Sequence, residues 1–185
     1  NAPQPTYAHL PLLVNEQRKK LSKRRDDVSI ADYRDRGYLP EAMVNYLSLL
    51  GWGPPDDIEV RPLEEIVDLF AIEDVNKAAA FFDLKKLEFV NATHLRELKK
   101  NDFVERAKPW IENKAAPWPS DKFDEKRYLT MVDLVQEKLR TLSDLPRFID
   151  FIFLDEPVDD PDSWHKAMVK APFASEILEG TFAAL

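Results

Sequence analysis

The chain has 185 residues, 44% of them hydrophobic and 32% charged, with a net charge of −8. That composition is globular and soluble, with enough apolar content for one domain or two small ones. It contains no cysteine, which excludes disulfides and thiolate metal sites and fits a reducing compartment, and no apolar run approaches the roughly 20 residues that cross a bilayer. No secretory signal pattern opens at Asn1, and the lack of an initiator Met gives the expectation of a piece of something longer. Charge is unevenly spread. Residues 1–37 hold eight Lys/Arg against five Asp/Glu, while the remainder hold 18 against 29. Such a chain repels polyanions as a whole, so any nucleic acid must be met by local basic faces.

Residues 6–14 contain β-formers with Pro11 among them, which predicts a short strand or extended segment at an edge. Asn15 to Asp27 reads as a polar loop. A short helix is expected over Ser29 to Arg36, with Ser29 as cap and Gly37 as stop. Pro40 then opens a helix whose face carries Met43, Leu47 and Leu50, closed by Gly51. Gly51-Trp52-Gly53-Pro54-Pro55 is a rigid turn. Leu63 to Ala71 is a further helix, with Glu64 and Glu65 favourable in its first turn. Asp83 caps a helix carrying Leu84, Leu87 and Val90, and more helices are expected at 93–100, 102–112 and 122–142. Asp102 and Glu105 form a candidate capping pair, and Pro109 is expected to kink or end its helix. Ala116 to Ser120 is a stiff connector. Asp150 to Asp162, with six acids and no base, reads as an exposed loop, and helices near 161–170 and 172–185 close the chain. The predicted class is mainly α with a short extended segment at the N-terminus, and a boundary between 101 and 120.

Within the basic segment, Lys20-Leu21-Ser22-Lys23-Arg24 lies in a run from Arg18 to Arg25 in which six of eight side chains are cationic. A cationic loop with a Lys-x-Ser-Lys core can grip a polyphosphate; alone, it also reads as a solvated surface loop. Its flanks decide between these. Pro5-Thr6-Tyr7-Ala8-His9-Leu10-Pro11-Leu12 precedes it, Gly37-Tyr38-Leu39-Pro40-Glu41-Ala42-Met43 follows, and Phe82-Asp83-Leu84-Lys85-Lys86-Leu87-Glu88-Phe89-Val90-Asn91 lies downstream. In this order and spacing the chain resembles bacterial glutamyl-tRNA synthetases, class I aminoacyl-tRNA synthetases, over residues 5–100. The five-residue core corresponds to their second signature. The upstream half, with the first signature and the glutamate pocket, is absent from this sequence.

The resemblance implies three regions: 1–27 as the tail of the nucleotide-binding catalytic domain with its signature loop, 28–103 as a helical stem-contact region, and 104–185 as the first helical part of an anticodon-binding domain. The related glutaminyl enzymes carry β-barrels in that last position, and the helical pattern argues against them here. The implied activity of the full-length parent is activation of glutamate with ATP and transfer to the 3′ end of tRNA. This segment alone is expected to be inactive. Lys23 would be the catalytic lysine, and Lys20, Ser22, Lys23 and Arg24 would contact ATP, which brings Mg2+ with it. Lys85, Lys86, Arg96, Lys99 and Lys100 would meet tRNA phosphates, which position rather than specify; the alternative is an ordinary polar helix face. The implied setting is the cytoplasm, as a monomer with no membrane contact. A different class of function, a non-catalytic helical tRNA-binding or protein-interaction module, is the competing expectation. His9, His94 and His165 are isolated from carboxylate partners at metal-ligand spacing, so no metal site is assigned.

Overall fold

The computed structural model describes residues 3–5, 7, 9–22, 29–112, 116–155, 161–171 and 173–184. Two strands and nine α-helices are described: β1 (Leu13–Val14), α1 (Ile30–Asp35), α2 (Pro40–Ser48), α3 (Leu63–Leu69), β2 (Ala80–Phe81), α4 (Leu84–Glu97), α5 (Lys100–Ile111), α6 (Glu125–Gln136), α7 (Leu145–Phe153), α8 (Pro161–Trp164) and α9 (Ala174–Ala184). A π-helical turn, His165–Val169, continues α8, and 3-10 turns cover Ile72–Asp74 and Leu142–Asp144. The fold is mainly α, and no described helix is long and apolar enough to cross a membrane.

Local chemistry explains the helix ends. Pro40 starts α2 because a first-turn residue needs no amide hydrogen. Gly51 follows α2 at φ +103°, a conformation that favours glycine. Asp83 caps α4 by accepting hydrogen bonds from Lys85 N (2.9 Å) and Lys86 N (3.3 Å). Parallel pairing of Leu13 with Ala80 and Val14 with Phe81 ties the N-terminal segment to the chain just before that cap.

Several expectations are corrected. Residues 84–97 form one helix, so 93–100 is not a separate element; the next helix begins at Lys100. Its cap is Lys99, with no side-chain hydrogen bond, and Asp102 lies inside the first turn rather than capping. α5 runs past Pro109 to Ile111. The expected helix over 122–142 ends at Gln136, and Asp150 to Phe153 belongs to α7 rather than to a loop. Strand β2 was not anticipated, and β1 occupies only the end of the segment expected to be extended.

One contiguous apolar core unites α1, α2 and α4 to α7. Ala42, Met43 and Tyr46 of α2 pack on Leu87, Val90 and Leu95 of α4. Phe103 and Ala107 of α5, Val132 of α6 and Leu145 and Ile149 of α7 extend the same cluster, most of them entirely buried. Each large side chain so buried contributes about 1.5–3 kcal/mol. Tyr46 stands edge-on to Phe82 at 5.2 Å and accepts a hydrogen bond from Asp83 N through its hydroxyl (2.7 Å), so the start of α4 is fixed by both packing and a polar contact.

Candidate functional site

The segment before the signature residues is a tight hairpin. Leu21 N donates to Leu13 O (3.1 Å), and Val14 bridges Lys20 in antiparallel fashion. Asn15 closes the tip: its amide donates to Lys19 O (2.9 Å), while its side-chain oxygen accepts from Gln17 N (3.1 Å) and Lys19 N (3.0 Å). Asn suits this position because its side chain satisfies turn amides that have no strand partner. Arg18 takes the left-handed conformation, φ 56°. Residues 15–21 are therefore a built turn within the expected polar loop. Lys20 is exposed at its base and Ser22 is half-buried, whereas Lys23 and Arg24 lie outside the described residues. A groove of about 550 Å³ lies beside the hairpin and the paired β2, lined by Val14, Asn15, Glu16, Arg18 and Phe81 among others.

Glu16 also reaches a second, larger groove of about 690 Å³ that runs along α4. One wall is the α4 face at helical spacing, Lys85, Glu88, Phe89, Ala92 and Arg96. The other is the segment after α6, Lys138 to Arg140. Four cations thus line it, Lys85, Arg96, Lys138 and Arg140. Phe89 stands among them 58% exposed, an aromatic face turned to solvent. The acids at the rim are partly engaged. Asp83 serves the α4 cap, and Glu88 accepts from Arg140 at 3.2 Å, with the Arg140 side chain still 73% exposed. The lining thus sets four cations against three carboxylates, Glu16, Asp83 and Glu88, a local balance opposite in sign to that of the chain as a whole.

The five basic residues expected to act together are divided by the fold. Lys85 and Arg96 share the groove. Lys86 donates to Glu59 (2.6 Å) and Lys100 to Asp133 (2.9 Å), while Lys99 is exposed at the α5 cap. Arg96 also donates to Thr93 Oγ1 at 3.2 Å. Lys138 and Arg140 were missed because a single helix was expected across 122–142. The available signal was Thr141-Leu142-Ser143-Asp144, which forms a capping box in which the Asp144 carboxylate accepts from Thr141 N (2.9 Å).

The histidines serve other ends. His94 is buried and hydrogen-bonds Asn45 Oδ1 through Nε2 (3.0 Å). Burial lowers its pKa below the usual histidine value, against the opposing pull of Glu97 and Glu41. His9 and His165 are exposed. Among the described residues no group of three or more His, Cys, Asp or Glu is placed to hold a metal ion. Trp52 and Trp118 are buried in packing.

A hairpin leading into a Lys-x-Ser-Lys segment, joined through two short parallel strands to a helix bearing a cationic groove, has known counterparts. Residues 1–89 match the family described as tRNA synthetases class I (E and Q), catalytic domain, and residues 102–185 match an anticodon binding domain. The chain is 53% identical over 164 residues to a glutamate–tRNA ligase of Thermobifida fusca, covering 89% of this chain and 34% of that protein. It is 47% identical over 175 residues to one of Frankia casuarinae, covering 94% and 37%. The crystal structure of glutamate-tRNA synthetase from Elizabethkingia anophelis superposes with a TM-score of 0.70 at 25% identity, over 98% of this chain and 41% of that one. Fold and sequence together define a class I aminoacyl-tRNA synthetase segment. Within that class the chain belongs to the glutamate–tRNA ligase family. It spans about a third of the length of the curated relatives it matches, 34% and 37% of the two named.

Proposed function

We propose that this chain is the part of a glutamate–tRNA ligase that brings the ATP-contacting signature loop and a helical tRNA-contact surface into one body. The observation that carries the reading is the α4 groove with four cations in its lining, beside the hairpin that leads into Lys20-Leu21-Ser22-Lys23. In this reading residues 1–27 end the nucleotide-binding domain, 28–103 form the stem-contact region and 104–185 begin the anticodon-binding domain. The parent enzyme is a cytoplasmic monomer that joins glutamate to tRNA with ATP and Mg2+.

Adenylate formation expels pyrophosphate, so negative charge builds on the leaving oxygens. A lysine fixed beside them stabilises the transition state more than the ground state. Lys23 has that role, Lys20 and Arg24 add positive potential, and Ser22 donates a hydrogen bond. Lys85 and Arg96 contact tRNA phosphates, with Lys138 and Arg140 facing them; Lys86, Lys99 and Lys100 lie to the side as weaker contacts. By itself the chain binds tRNA without forming glutamyl-adenylate, because the adenine and glutamate pockets of the family belong to the upstream half. The test is Lys23→Ala in a protein that includes that half. Single-turnover adenylate formation should slow roughly 10²–10³-fold with glutamate affinity little changed. An unchanged chemical step would remove Lys23 from the mechanism.

A further inference from the structure

The two walls of the cationic groove come from distant parts of the chain, and two buried amide side chains join them. Asn91, wholly buried on α4, accepts from Leu39 N (2.8 Å) and donates through Nδ2 to Arg140 O (2.5 Å). Gln136, 7% exposed at the end of α6, donates through Nε2 to Leu95 O (2.7 Å), which also accepts from Leu98 N (3.3 Å), and to Leu98 O (2.8 Å), both at the C-terminal end of α4. Leu142 N donates to Gly37 O (3.0 Å) just beyond. The segment from Gln136 to Leu142 is therefore pinned to the α2–α4 layer at three points, and Lys138 and Arg140 lie between the pins.

We infer that Asn91 and Gln136 are positioning residues for tRNA. Their amides hold the Lys138–Arg140 wall at a fixed separation from the Lys85–Arg96 wall, so that both meet phosphates without prior ordering. This rests on the groove reading above. The physical ground is preorganisation: a binding surface whose cations are already in place avoids the entropic cost of ordering a loop and its long side chains on association. An amide suits the task because it donates and accepts at once, with no charge to desolvate. Both side chains spend their polar atoms on backbone of other elements, so neither competes with its own helix.

A double-mutant cycle separates positioning from general support of the fold. The 185-residue chain is titrated with an unmodified tRNA transcript at low salt in four forms: parent, Asn91→Leu, Lys138→Ala/Arg140→Ala, and all three together. Helical content is checked by circular dichroism. Asn91→Leu should weaken binding about fivefold to tenfold in the parent, the size of effect expected for lost preorganisation. In the background without Lys138 and Arg140 it should have no more than about a twofold effect, because the groups it positions are gone. Equal losses in both backgrounds, or none in the parent, overturn the inference. If removing Lys138 and Arg140 does not itself weaken binding, the groove reading fails and this inference with it. Should Asn91→Leu lose its helical signal, Gln136→Met enters the same cycle. It keeps side-chain length, removes the donor and carries the same expectations.

Discussion

Gly37→Ala should be among the most damaging single-methyl changes in this chain. Gly37 has φ +80°, where an L side chain meets the following carbonyl. A Cβ built there lies 2.7 Å from both Leu142 N and Ser143 N and 2.9 Å from Leu142 Cβ. The two nearest are backbone nitrogens of a capped 3-10 turn and the third is a Cβ fixed to that backbone, so no flexible side-chain end can swing aside. Left-handed strain costs roughly 1–2 kcal/mol and forced overpacking about 1–3 more, so a loss of about 2–5 kcal/mol is expected. The contact also brings Gly37 O to Leu142 N, so relief by moving the turn would break that hydrogen bond. Urea unfolding followed by circular dichroism reads the change. With a slope of about 2 kcal/mol per M, the midpoint should fall by about 1–2.5 M without a change in slope. Gly53 is the internal control. Nothing lies within 4 Å of a Cβ placed there, so Gly53→Ala should stay within about 0.5 kcal/mol of the parent. A Gly37→Ala variant as stable as Gly53→Ala would refute the packing argument at this joint.

Stability should also respond to pH through His94. Burial depresses its folded pKa, so between that value and the ordinary one of about 6.5 the unfolded chain binds more protons than the folded one. The contribution is complete above the unfolded pKa and lost as pH falls through the folded pKa. Urea midpoints should therefore be higher at pH 7.5 than at pH 5.5, and His94→Gln should flatten the difference; greater stability of the parent at the lower pH would contradict this. Tyr128 is 2% exposed, and its hydroxyl has no hydrogen-bond partner among the described residues. Burial raises its pKa, so the group remains a neutral, unpaired phenol. Tyr128→Phe should leave stability unchanged or raise it by about 1 kcal/mol, and a loss of that size in the unfolding midpoint would show a missing partner.

Elements whose ends carry their own chemistry were legible in the sequence. Pro40 and Gly51 bracket α2, and Asp83 marks the start of α4 as its hydrogen bonds require. What failed was continuity set by tertiary contacts. Asn91 and Thr93 weaken the helical pattern in the middle of α4, because such side chains usually compete with the helix backbone. Here the Asn91 amide is occupied by Leu39 N and Arg140 O, so the helix runs through it. β2 has only two residues and exists because β1 lies beside it, which no local pattern announces. α7 was hidden by reading its apolar run together with the acidic stretch that follows, although Pro146 near its start is a first-turn signal. The same logic divides the site. The signature segment stood out in the sequence by its residue types together with its flanks. The second wall of the groove was not, because Lys138 and Arg140 come to face Lys85 and Arg96 only through buried amide hydrogen bonds that span 41 and 49 residues of sequence.

Salt-dependent titration of the chain with tRNA tests the central claim most directly, with the parent compared against Lys138→Ala/Arg140→Ala. Each phosphate contact adds roughly 0.7–0.9 to the slope of log K against log salt. The account predicts measurable binding at low salt, loss near physiological salt, little preference for glutamate tRNA over others, and a slope lower by about one such increment per cation removed. Tight binding that ignores salt, or a slope unchanged by removing both cations, would contradict the assignment of this groove to nucleic acid.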